Sequence, residues 1–210
     1  KCTMCWGYSS SRINAERLDM VKKHGSTMPT WLFDMWYPSE YDIAKIDMMW
    51  HENPKFLDNF KKIAPTLKRL YVTGGEPSII KANTDMINHL IEIGNKECHV
   101  SFTTNLTTWN IDLYEKLSFF DKSEVQVSID GYKKSQEYIR YGSAWEDIDR
   151  NFKKLIELPD KVRIQIYNVF QVYNIFESHK IMKWLDSLDL KREVAFWPII
   201  IDQPLHLRAT

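Results

Sequence analysis

The chain has 210 residues, 44% hydrophobic and 13% aromatic, enough to close one sizeable core. Lys and Arg number 28 and so do Asp and Glu, leaving no net charge and no basic stripe of the kind that attracts nucleic acid. No apolar run approaches the roughly 20 residues of a membrane span, and three cysteines are too few for a disulfide framework. The expectation is a soluble, cytoplasmic protein.

Chain order begins with Cys2 and Cys5, a CxxC reached within five residues of a start at Lys1 that carries no initiator methionine. The pattern reads as a piece of a longer protein. A helix follows, with Asn14 as N-cap, Glu16 in its first turn and Gly25 as its stop. Residues 27–54, rich in Trp and Met, interrupt the rhythm and read as an insertion or lid. After them β-branched and aromatic runs alternate with helical patterns. Strands are predicted at 69–72, 99–102, 125–129, 162–170 and 194–201. Helices are predicted near 84–93 with Gly94 as stop, at 112–117, after a capping box of Ser143 and Glu146, and at 177–188. Strand-helix alternation of this length means βαβ units and a parallel sheet.

Ligands of such sheets bind beyond the carboxyl ends of the strands. Small and polar residues fall at four successive strand ends: Thr73-Gly-Gly-Glu-Pro77, Thr103-Thr-Asn105, Asp130-Gly131, and Tyr173-Asn174. Each alone is an ordinary turn; the recurrence at four successive strand ends points to a binding face. CxxC by itself allows an iron-sulfur loop, a redox dithiol or half of a zinc site. Zinc wants four ligands, and no second CxxC or HxxxH exists. Cys98, at a strand start, reads as a small buried hydrophobe.

With these motifs the chain resembles the radical S-adenosylmethionine (SAM) superfamily, in particular its members with SPASM or twitch-type extensions. The resemblance implies a partial (β/α)6 TIM-like barrel, its first strand lying upstream of Lys1 and a C-terminal extension lying beyond Thr210. It implies that Cys2 and Cys5 are the second and third cysteines of CxxxCxxC and ligands of a 4Fe-4S cluster. SAM would be held by Trp6, Gly74, Gly75, Glu76, Asn105, Ser128, Arg140 and Val172. Asp130 corresponds to an acidic residue near the substrate, expected as proton acceptor or anchor. The implied chemistry is reductive cleavage of SAM to a 5′-deoxyadenosyl radical that abstracts hydrogen from a substrate, a peptide or protein, with flavodoxin or ferredoxin as electron donor. The other readings are a fold-retaining binding module without a cluster, and a zinc or thiol redox protein using Cys2 and Cys5.

Overall fold

The computed structural model describes Cys2, residues 11–25, Thr27, residues 50–201 and residues 207–208. Five strands form one parallel sheet: β1 (Arg69–Val72), β2 (His99–Thr104), β3 (Ser123–Ser128), β4 (Val162–Phe170) and β5 (Val194–Ile200), in the spatial order β1-β2-β3-β4-β5. All five were legible as strands. Both edges are open among the described residues, so these strands do not close into a barrel by themselves.

Each strand's alternate residues separate two faces. Val100, Phe102, Val125, Val127, Ile164 and Ile166 bury toward the helices, where Tyr114, Phe120, Phe152, Ile87 and Leu90 complete a core. The opposite face is polar but closed. Ser101 Oγ donates to Glu124 Oε1 at 2.8 Å, Gln165 Nε2 to Glu124 Oε2 at 3.3 Å, and Thr103 Oγ1 to Gln126 Oε1 at 3.0 Å. The in-plane register places Ser101 beside Glu124, and Gln126 beside Gln165, so these bonds run across strands.

The helices are α1 (Ser11–His24), α2 (Pro54–Ile63), α3 (Lys81–Glu92), α4 (Ile111–Tyr114), α5 (Lys134–Ile139), α6 (Trp145–Ile156) and α7 (Ser178–Asp186). Several starts differ from expectation. Helix α1 begins at Ser11, which puts Asn14 inside its first turn; Gly25 does follow its last residue. A single 3-10 turn, Pro77–Ile79, feeds directly into α3, which therefore starts at Lys81 rather than Thr84. Ser143 makes no cap among the described residues: α6 starts at Trp145, whose amide donates to Glu137 Oε1 of α5 at 2.9 Å, while the buried Ser143 Oγ has no hydrogen-bond partner among the described residues. Segment 112–117 divides into α4, capped by Asn110, and a 3-10 stretch, Glu115–Phe119. Helices α2 and α5 were not anticipated. The first is signalled by Asn53, whose side chain accepts from the Lys55 amide, and by Pro54 at the first helical position. The insertion expected at 27–54 lies mostly outside the described residues.

Among the described residues no helix is long and apolar enough to cross a membrane.

Candidate functional site

Beyond the carboxyl end of β1 the chain turns through Gly74, at φ +129°, a conformation open to glycine and strained for other residues. A Cβ at Gly74 or Gly75 would meet nothing within 4 Å among the described residues, so the backbone here borders open space. Glu76 then folds its carboxylate back. Oε1 accepts from the Ser78 amide (3.1 Å), Ser78 Oγ (2.6 Å) and Thr104 Oγ1 (2.9 Å); Oε2 accepts from the Asn105 amide at 2.8 Å. One side chain thus caps the following 3-10 turn and ties the end of β1 to the end of β2. Its donors are themselves oriented, since Tyr114 Oη donates to Thr104 Oγ1 at 3.1 Å. Burial pushes the Tyr114 phenol well above its usual range and keeps it a donor. A carboxylate offers about four acceptor positions, so the capacity left over lies on Oε2. Asn105 turns its Oδ1 onto the Thr107 amide (2.9 Å) and Oγ1 (2.6 Å), and its Nδ2 makes no hydrogen bond among the described residues.

At the end of β3 the sheet begins to part, and side chains close the gap. Asp130 is fully buried. Its Oδ1 accepts from the Val169 amide of β4 at 2.7 Å, and its Oδ2 accepts from Arg140 Nε at 2.5 Å. Asn174 Nδ2 donates to the Asp130 carbonyl (2.6 Å) and to that of Val169 (2.8 Å). Gln136 Oε1 accepts from the Asp130 and Gly131 amides at 2.8 and 2.9 Å, while its Nε2 donates weakly to the Ser128 carbonyl at 3.4 Å. Gly131 is required sterically: a Cβ would sit 2.6 Å from Ser135 Oγ and 2.7 Å from the Gln136 nitrogen. Arg140, directly after α5, carries this scaffold onward. Its Nη1 donates to Cys2 Sγ at 3.8 Å, and its backbone forms an antiparallel bridge with Cys2.

Several of the residues singled out from the sequence therefore assemble in two groups. Glu76 and Asn105 touch, with Gly74 and Gly75 adjacent in the chain. Asp130, Arg140 and Cys2 form a second line, and Ser128 joins it through Gln136. Val172 stands apart: it is 45% exposed, and its amide donates to the Leu207 carbonyl at 2.9 Å. Trp6 and Cys5 lie outside the described residues. Sequence reasoning missed Gln136, Ser78 and Thr104, whose roles exist only once the turns bring backbone amides to them. Gln136, a fully buried glutamine in an otherwise polar stretch, left no periodic signal.

Residues 1–185 match the model of the radical SAM superfamily. The chain belongs to that superfamily. No curated protein matches it in sequence. Among solved structures it is similar in fold to Streptococcus suis SuiB bound to S-adenosylmethionine, at 14% identity and a TM-score of 0.51 over 73% of this chain and 36% of that one. SuiB itself gives 13% and 0.52 over 73% and 35%, and SuiB bound to the precursor peptide SuiA gives 14% and 0.51 over 73% and 34%. The chain spans about a third of SuiB's length.

For a radical SAM protein the residues present fit their two cofactors. The open space bordering Gly74 and Gly75, with acceptor capacity on Glu76 Oε2, suits the ammonium of an amino acid group. Cys2 offers the soft sulfur that iron prefers, with Arg140 Nη1 3.8 Å away. Among the described residues no group of three His, Cys, Asp or Glu side chains could hold a metal, so any cluster site would be completed by residues outside them, Cys5 included.

Proposed function

We propose that the chain is the core of a radical SAM enzyme of the SPASM or twitch type that modifies a peptide or protein. The observation that carries this reading is that Glu76 with Asn105, and Asp130 with Arg140 and Cys2, form two hydrogen-bonded groups beyond the carboxyl ends of the strands, the face where parallel sheets bind ligands. Cys2 and Cys5, with a cysteine three residues upstream of Lys1, would hold a 4Fe-4S cluster. When bound with SAM, the cluster supplies the electron that cleaves the sulfonium to methionine and a 5′-deoxyadenosyl radical.

The chain's own contribution is placement. Glu76 and the Gly74-Gly75 backbone receive the ammonium of SAM, and Asn105 Nδ2 is an available donor toward the ribose. Ser128 and Arg140 meet the carboxylate, for which a planar guanidinium is well shaped. Trp6 and Val172 flank the adenine. Asp130, buried and bonded through both oxygens, serves this site by aiming Arg140. Hydrogen abstraction needs a substrate carbon brought beside the radical and water kept away. A precursor peptide bound to SuiB supports a peptide substrate here. Flavodoxin or ferredoxin in the cytoplasm would supply the electron.

Anaerobic reconstitution of the full-length protein tests the proposal. Expected are about four iron and four sulfide per chain and formation of 5′-deoxyadenosine from SAM under reductant. Zinc at one per chain with no cleavage would overturn it, as would SAM binding without iron. Arg140→Ala is expected to weaken SAM binding at least tenfold, of the order of 1.4 kcal/mol. Cys5→Ala should abolish both cluster and cleavage.

A further inference from the structure

The geometry points to Arg140 as a residue that sets the reduction potential of the cluster through Cys2, a role separate from any contact with SAM; it rests on the reading of Cys2 as a cluster ligand. Three observations converge on it. First, Nη1 of Arg140 lies 3.8 Å from Cys2 Sγ, within hydrogen-bond range for sulfur, and the antiparallel bridge between the two backbones fixes which side chains face each other. Second, the guanidinium is anchored from behind. Its Nε binds Asp130 Oδ2 at 2.5 Å with the arginine side chain only 15% exposed and the aspartate fully buried. Third, Asp130 is fixed to the sheet through the Val169 amide, Gln136 and Asn174, so the line from β4 backbone to Cys2 sulfur is continuous.

Reduction adds negative charge to iron and its thiolates. A cation donating an N–H to one of those sulfurs stabilises the reduced form more than the oxidised one, which raises the potential. Asp130 opposes this effect, but from the far side of the guanidinium, and its field at the sulfur is the weaker of the two. The line of three groups is therefore a graded device: the arginine makes reduction easier, and the aspartate both aims the arginine and moderates it. If Arg140 instead serves only as a fork for the carboxylate of SAM, or only as a loop anchor, it leaves the potential without SAM unchanged.

The test uses the full-length protein, reconstituted anaerobically and free of SAM, titrated with titanium(III) citrate and followed by electron paramagnetic resonance. R140Q is expected to move the midpoint to a more negative value with unchanged iron content. D130N, which leaves the cation without its counter-charge, is expected to move it the opposite way. Unshifted midpoints, or shifts of the same sign in the two variants, overturn the assignment; if R140Q loads no cluster, the D130N shift decides alone. Absence of any cluster in the wild-type protein would instead overturn the reading of Cys2 as ligand, so the two failures are separable.

Discussion

Glu76 shows how much one side chain at a strand end can be asked to do. Its two oxygens receive four hydrogen bonds from Ser78, Thr104 and Asn105, leaving little freedom for the loop that borders the open space at Gly74. Glu76→Gln turns one acceptor into a donor and sets an N–H against either the Asn105 amide or the Ser78 and Thr104 donors. The expected cost is about 1–3 kcal/mol, read as a lower urea midpoint at unchanged slope. SAM affinity should fall with it. Cys98 makes a contrasting case. Burial pushes its thiol above the ordinary range, against smaller opposing effects from the Leu70 backbone and Lys68. Iodoacetamide should therefore leave Cys98 unmodified in native protein and label it once urea unfolds the chain; labelling at equal rates would contradict its placement. At this scale the sequence was partly legible. Glu76, Asn105 and Asp130 could be singled out because turns of small and polar residues followed strand-like runs, whereas Arg140 was named only through the family resemblance. The Asp130–Arg140 pair could not, because ten residues of turn and helix must fold before those two groups meet.

At the level of elements, helices α6 and α7 are latched by Asp149, which accepts from Trp184 Nε1 and from Lys153 Nζ, both at 2.7 Å. Burial alone would raise this carboxyl, but the hydrogen bonds from Lys153 and Trp184, together with the Lys153 charge, hold it below the usual range. A group whose folded pKa is depressed stabilises the protein above its unfolded value of about 3.9 and loses that contribution as pH falls through the lower folded value. Asp149→Asn should therefore cost about 1 kcal/mol at neutral pH, allowing for partial exposure. The variant and wild type should draw together in stability as pH falls through the lowered folded pKa of Asp149. Acid titrations followed by circular dichroism would check both. The five strands were readable as β-branched runs punctuated by turns, whereas α5 was not: six residues, of which only the last two are apolar, give no apolar stripe, and Gln136 and Arg140 grip the end of β3. The start of α6 was misread for a related reason, since its first amide is capped from a neighbouring helix by Glu137 and not by the local Ser143.

Across the whole molecule the sheet separates an apolar side, packed against the helices, from a polar one. Phe102, fully buried between β2 neighbours and Tyr114, is a fair probe of the former: Phe102→Ala should cost about 3–5 kcal/mol. Thermal unfolding would show this as a drop well beyond 4 °C, the least expected for even 1 kcal/mol in a small domain and halved here by chain length. Fold class could be read from the alternation of strands and helices, while the closure of Glu124, Gln126 and Gln165 on the polar face could not, because their burial depends on one another rather than on any local pattern. The strands also stand in the sheet in the order in which they occur in the chain. Every newly made strand thus finds its template already laid down by the one before it. Nothing synthesised late has to be threaded between earlier strands, so growth on the ribosome can proceed by stepwise addition at one edge, and interruption after any unit leaves a shorter stack rather than a tangled one.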